Sequence, residues 1–373
     1  MVVQLEPPQT VEWQGKQVPV WEMATVNYGA ILSQDPEEVE KLTKACLEEG
    51  YFYLDLQGID GRRMLADKQD LQSLMKRFFD APLEKKNEFG LISSHLGYEP
   101  VGSRTGVVPG AKDGYEMLKV SRDEIQRDSP KIPSPVKNSD DMRILENNIG
   151  SCNTVTKVIL SALSTGMNLT GASRFENSHR NERPSTTTLS MMHYLPQVQL
   201  AGDNKIGHQK HTDISSLTLL FSDQWGLQVR PPGTCGAREM GFVRPKPGCA
   251  FVHVGDSLRF ASGMKFQSCI HRVVPGFDRE EHRYSIAYFL RAEDDAMFVD
   301  SEGRYVTAGQ WHDEKFKAFT DPELWQAMAP KSMILGGMKE DGADDPVQVS
   351  RPVPVSTQPV APVEVARETA VNA

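Results

Sequence analysis

Gly207-His208-Gln209-Lys210-His211-Thr212-Asp213-Ile214-Ser215-Ser216-Leu217-Thr218-Leu219-Leu220-Phe221 and, further along, Cys269-Ile270-His271-Arg272-Val273-Val274 are the two stretches around which the chain is organised. His211 and Asp213 are two residues apart, so if they open a strand their side chains leave from the same face and converge. His271 sits in an apolar, strand-like run, and the 57 residues that separate it from Asp213 leave room for a few antiparallel strands to bring it back. Two imidazoles and one carboxylate on one face of a metal, with the other positions open, are the ligand set of a non-haem Fe(II) site that activates oxygen.

Outward from these stretches, the period is strand-like from Ser185 onward, in short runs separated by Gly and Pro as in an antiparallel barrel or sandwich. Expected strands are Thr187 to Leu195, Ser216 to Ser222, Leu227 to Arg230, Gly241 to Arg244, Ala250 to Val254, Ser268 to Val274 and Arg283 to Leu290. Before this block the period is helical. A helix is expected from Pro36 to Glu49, capped by Asp35 and ended by Gly50, then a strand at Tyr51 to Leu56 and a second helix from Gly61 to Asp80. Residues 82–135 read as irregular, with short apolar pieces such as Tyr115 to Val120, and a long helix fits Asp140 to Leu169. A last helix is expected at Ala308 to Phe319, and past Asp341 the composition turns to Pro, Val, Ser and acidic residues without period, which reads as a disordered tail.

At 373 residues with 39% hydrophobic and 24% charged residues, the chain reads as a globular protein, and it has no apolar run of membrane-spanning length. Five widely spaced cysteines without a Cys-x-x-Cys pair, and an N-terminus unlike a secretory signal, point to a reducing compartment, the cytoplasm. A formal charge of −9 with no basic cluster argues against a nucleic-acid partner.

Nine histidines invite false triads. His208, three residues before His211, would share a face with it on a helix, but Gly207 and the apolar run that follows favour loop then strand. For His193, His253 and His282, in or beside strands, a hydrogen-bonded structural role is the expected one. The strand after His271 adds a second feature: alternation puts Arg283 and Ser285 on one side with Ala287 and Phe289. A buried arginine needs an anion, either a carboxylate side chain in a structural ion pair or a carboxylate ligand gripped bidentately with help from the serine.

The order His211-x-Asp213, His271-Arg272-Val273, Arg283-x-Ser285 resembles the Fe(II)- and 2-oxoglutarate-dependent dioxygenases, in the branch of isopenicillin N synthase and the plant and fungal small-molecule oxygenases. Trp225-Gly226-Leu227-Gln228-Val229 and Gly255-Asp256-Ser257-Leu258 belong to the same resemblance, which extends to Pro19 to Phe89. It implies a mainly β fold with flanking helices and a double-stranded β-helix (jelly roll) core. It divides the chain into an N-terminal helical and mixed region, 1–184, a catalytic core with its C-terminal helix, 185–340, and the tail, 341–373.

By the same resemblance, Fe(II) is held by His211, Asp213 and His271, and 2-oxoglutarate by Arg283 and Ser285. The family's usual Asn-Tyr-Tyr-Pro is replaced by His193-Tyr194-Leu195-Pro196, so Tyr194 is the expected cosubstrate contact, with His193 the alternative. The insertion 231–240 reads as a tight loop without chemistry. Candidate substrate contacts are Tyr115, Met117, Phe289, Arg291 and a lid from Trp311 to Phe319. The implied activity is hydroxylation, desaturation, epoxidation or rearrangement of a small organic molecule with O2, in natural-product biosynthesis, by a monomer without nucleic-acid or membrane partners. Two alternatives stand beside it: an oxidase of the same fold that does not use 2-oxoglutarate, and a non-catalytic jelly-roll binding module.

Overall fold

The strand Arg283–Leu290 shows how the fold is built. Ile286, Tyr288 and Leu290 are buried towards the helices, while Ser285, Ala287 and Phe289 face a cavity on the other side. Successive side chains of a strand point to opposite faces, so one run of sequence serves two apolar layers. The computed structural model describes residues 9–13, 15–104, 112–128, 130–132, 134–196, 207–230, 240–274, 281–320 and 333–338. The expected tail, Cys235 and nearly all of the insertion at 231–240 lie outside the described residues.

In chain order the strands are β1 Thr10–Trp13, β2 Lys16–Pro19, β3 Thr25–Asn27, β4 Tyr51–Asp55, β5 Gly97–Glu99, β6 Tyr115–Ser121, β7 Thr188–Tyr194, β8 His208–His211, β9 Leu217–Phe221, β10 Leu227–Val229, β11 Gly241–Phe242, β12 Cys249–Val254, β13 His271–Val273, β14 Arg283–Leu290, β15 Met297–Val299 and β16 Tyr305–Thr307. One sheet has eight strands in the order β3-β4-β12-β9-β14-β7-β6-β5, and a second has four in the order β11-β10-β13-β8. All pairings in them are antiparallel except β3 with β4. The cavity is lined from both sheets, by Met117, Leu220 and Phe289 of the large one and Leu227, His271 and Val273 of the small one. This is the double-stranded β-helix, or jelly roll, with helices outside.

The helices Pro36–Glu48, Arg62–Phe79 and Ser139–Gly166 cover the outer face of the large sheet, where Leu42, Leu74 and Leu160 meet Phe52, Leu189 and Leu219. Asp35 caps the first of them by accepting from the Glu38 N–H at 3.0 Å. At about 25 cal/mol per Å² of apolar surface removed from water, burial in this layer stabilises the large sheet behind the site.

Two local expectations change. Tyr115 to Val120, expected as an apolar piece in an irregular region, is a fully buried strand between β5 and β7. Its pairing partners are remote in sequence, so no local period announces it. His211 and Asp213 do not open a strand: His211 ends β8 in the small sheet, and Asp213 lies in the turn that crosses to β9 in the large one.

Candidate active site

β8 and β13 are paired with His211 opposite His271, which brings the two imidazole centroids to 4.2 Å. Asp213 comes in from the crossover turn. One ligand atom from each of His211, Asp213 and His271 lies within 4.8 Å of the others, and all three residues are buried.

Each partner is oriented by a second contact. His211 Nδ1 faces the Gln209 carbonyl at 2.6 Å and His271 Nδ1 faces the Cys269 carbonyl at 3.1 Å. A carbonyl can only accept, so both rings carry their proton on Nδ1 and turn the Nε2 lone pair inward. Those Nε2 atoms stand 3.3 Å and 3.7 Å from the same Asp213 oxygen, Oδ1. The other oxygen, Oδ2, is occupied by the protein, accepting from Thr218 Oγ1 and from His253 Nε2, the latter at 2.6 Å. The carboxylate therefore presents one oxygen to the cluster.

Burial raises the Asp213 carboxyl, but the neighbouring His271 and His253, the latter through its hydrogen bond, hold it well below the usual carboxylate range. Burial, reinforced by His211, pushes His271 well below the usual imidazole value, so it stays neutral. An ionised carboxylate with a neutral imidazole is the protonation state a divalent cation needs.

The turn is anchored from behind. Buried Lys315, from the helix Ala308–Thr320, donates to Thr212 Oγ1 at 2.7 Å and to the carboxylate of buried Asp256. The Asp256 N–H in turn donates to the Asp213 carbonyl at 2.9 Å. The Gly255-Asp256 motif thus has a concrete task, fixing the turn that carries Asp213.

At another part of the same cavity, Arg283 donates from Nε to the Trp225 carbonyl at 3.0 Å and from Nη2 to Ser222 Oγ at 3.0 Å, with Cζ 4.8 Å over the Tyr194 ring. No carboxylate side chain among the described residues pairs with it. Its Nη1 and the neighbouring Ser285 Oγ are both buried without a hydrogen-bond partner of ordinary geometry, and the group acting on both residues is the neutral Tyr194 hydroxyl. Burial raises the Tyr194 phenol, so the neighbouring hydroxyl stays neutral and offers the guanidinium no charge. Among the described residues no structural ion pair accounts for this arginine, and the two buried donors fit the carboxylate of a ligand. Gly226, at φ +129°, allows the approach: a Cβ there would stand 2.7 Å from the Val274 carbonyl and 3.1 Å from Arg283 Nε.

The face that β7 turns to the cavity decides between Tyr194 and His193. Tyr194 lines the cavity, stacked beside Arg283, whereas His193 points out of it, with Nδ1 2.8 Å from Glu116 and Nε2 2.7 Å from His282. His193 as a site-facing residue is therefore corrected. His208 lies outside the three-residue cluster; its ring stacks on His211 at 4.4 Å and lines the cavity. Met117, Phe289, Arg291, Phe316 and Phe319 line it too. Tyr115 packs on Tyr194 and His208, and Trp311 is buried apart with Phe260 and Phe298, so only the far end of the expected lid reaches the site. His253 is the hydrogen-bonded structural histidine that its strand position suggests; its partner, Asp213, is not visible in the sequence because the two are 40 residues apart.

A jelly roll with two histidines and an aspartate converging in its cavity, and an arginine without a carboxylate further along the same cavity, defines the class of non-haem iron oxygenases. Similarity to known proteins narrows it. Residues 186–292 match the model of the 2OG-Fe(II) oxygenase superfamily, and residues 18–139 match that of the non-haem dioxygenase in morphine synthesis N-terminal region. The chain is 37% identical over 318 residues to the 2-oxoglutarate-dependent dioxygenase FG08081 of Gibberella zeae, covering 85% of this chain and 93% of that protein. It is 41% identical over 320 residues to the 2-oxoglutarate-dependent dioxygenase frbH of a Dothideomycetidae species, covering 86% and 96%. The crystal structure of the dioxygenase for auxin oxidation in rice shares the fold at a TM-score of 0.56 and 21% identity, over 80% of this chain and 98% of that one. A full-length Neurospora crassa protein crystallised in complex with alpha-KG shares it at a TM-score of 0.62 and 22% identity, over 83% and 98%. The chain belongs to the Fe(II)- and 2-oxoglutarate-dependent dioxygenases.

Proposed function

We propose that His211, Asp213 and His271 hold the Fe(II) of this oxygenase and that Arg283 and Ser285, with Tyr194 alongside, hold the far carboxylate of 2-oxoglutarate, so that a small organic substrate is oxidised in the remaining space of the cavity. The observation that carries the cosubstrate half is the pair of orphaned donors, Arg283 Nη1 and Ser285 Oγ, in the cavity that also contains the cluster. It also favours 2-oxoglutarate use over an oxidase that dispenses with it, because a buried guanidinium with an unpartnered donor is costly without an anion.

When bound, Fe(II) with 2-oxoglutarate supplies the oxidising power, consuming O2 and yielding succinate and carbon dioxide. The chain's own residues supply orientation. The Gln209 and Cys269 carbonyls fix both ring tautomers, His253 and Thr218 hold Asp213 to a single inward oxygen, and Arg283 sets how far the cosubstrate reaches. Leu220, Leu227 and Val273 keep the surroundings dry, which strengthens each of these polar contacts.

The relatives are fungal 2-oxoglutarate-dependent dioxygenases, which supports a natural product as substrate. We take residues 1–184 as the N-terminal region and 185–340 as the catalytic core, a division supported by the separate matches at 18–139 and 186–292. We further take the enzyme to act in the cytoplasm as a monomer, without nucleic-acid or membrane partners. No helix among the described residues is long and apolar enough to cross a membrane.

The test is anaerobic titration of metal-free protein with Fe(II) and then 2-oxoglutarate, followed by oxygen and a succinate assay. A visible charge-transfer band that requires both additions is expected. Absence of the band, together with no succinate across a broad substrate panel, would overturn the assignment.

A further inference from the structure

Arg283, Ser285, Ala287, Phe289 and Arg291 all line the cavity, so one face of β14 and its continuation carries an arginine at each end. Eight residues at about 3.4 Å each separate the two backbones by on the order of 25 Å, so the two arginines do not share one short dicarboxylate. The metal cluster lies towards the second arginine: Phe289 is directly opposite Thr218, whose hydroxyl donates to Asp213.

Like Arg283, Arg291 has no carboxylate in salt-bridge contact among the described residues. Its Nη1 donates to the Thr186 carbonyl and to Thr188 Oγ1, the latter at 3.1 Å, but both are neutral groups, and its Nε is buried without a partner. Ser190, on the cavity wall, has a buried and unpartnered Oγ. Arg104, which also lines the cavity, adds positive charge; it shares one carboxylate, Glu99, with Lys119, which burial lowers to about 7. Burial lowers Arg291 only to about 10, with Asp213 and Asp294 acting to raise it, so it remains charged at neutral pH. Next to these cations the wall is apolar and aromatic: Arg291 Cζ lies 5.2 Å over the Phe289 ring, and Phe316 and Phe319 complete the wall.

We propose that the substrate is a small organic acid whose carboxylate is received by Arg291, with Ser190 as a further donor, while its apolar body lies against Phe289, Phe316 and Phe319 beside the metal cluster. A neutral substrate would leave a buried guanidinium uncompensated, and a carboxylate satisfies both the charge and the planar donor fork. This rests on the cosubstrate site being at Arg283, which leaves Arg291 for the substrate.

The experiment uses the enzyme loaded with Fe(II) and 2-oxoglutarate under nitrogen. Matched pairs of apolar carboxylic acids and their primary amides are added, and binding is read by calorimetry and by perturbation of the charge-transfer band. At least one acid is expected to bind tenfold or more tightly than its amide. Arg291→Gln should bring that preference below about twofold while the 2-oxoglutarate band forms as in the wild type, and Arg291→Lys should keep part of it. If the band forms but no acid binds, or acids and amides bind alike, or Arg291→Gln keeps the wild-type preference, the inference is overturned. A band that never forms instead overturns the cosubstrate assignment beneath it, and this inference with it.

Discussion

His253 and Thr218 lie directly opposite each other on the neighbouring strands β12 and β9, and both donate to the same oxygen of Asp213. The strand pairing thereby decides which oxygen of the carboxylate is left for a metal. Groups behind a ligand commonly contribute 10- to 100-fold in metal affinity. His253→Ala should accordingly weaken Fe(II) binding by roughly tenfold or more, with little change in 2-oxoglutarate affinity at saturating metal. Titration of the metal-free variant with Fe(II) under nitrogen checks this, and wild-type affinity would show that the contact is only structural.

Arg283 and His211 should separate metal from cosubstrate. Arg283→Ala removes one side of a buried charge pair and should weaken 2-oxoglutarate binding by about 2 kcal/mol or more, leaving bound iron nearly unchanged. His211→Ala should cost the metal first. Iron content by metal analysis and 2-oxoglutarate binding by calorimetry read the two effects; equal loss of both in the arginine variant would make that residue a structural one.

Lys315 and Asp256 are both fully buried and paired behind the metal turn. Removing one member of such a pair strands the other, at a cost of about 3–5 kcal/mol. Lys315→Met should lower stability by that order in urea unfolding and loosen Fe(II) binding. Replacing both residues together by apolar ones should recover part of the stability; a double variant as unstable as the single would count against an uncompensated charge as the cause.

Burial lowers His179 and His95 each to about 4, from an ordinary 6.5. Between those values the unfolded chain binds more protons than the folded one, so stability is full above pH 6.5 and is lost as pH falls towards about 4. The metal-free protein should therefore melt at progressively lower temperature across this window. His179→Gln, which keeps polar contacts to Phe175 and Ser216 within reach, should flatten the slope; a Tm independent of pH over the same range would refute the prediction.

Much of the site is legible from residue type and spacing. Alternation alone sets Arg283 and Ser285 on one face of β14, and the pattern at His211, Asp213 and His271 already has the chemistry of a facial triad. Local periodicity also yields the long helices, because an amphipathic stripe is written within one segment. The buried strand β6 carries no such signal, since its register against β5 and β7 is a matter of partners far away along the chain.

By itself, then, the amino-acid order determined which side chains could bind iron and a carboxylate, and the family to which the chain belongs. Tertiary structure alone decided that Tyr194 faces the cavity and His193 does not, that His253 serves Asp213, and that Arg291 has no carboxylate in salt-bridge contact among the described residues. The reason is physical: a ligand type is a property of one residue, whereas the partner of a buried polar atom depends on strands that meet only when the two sheets close.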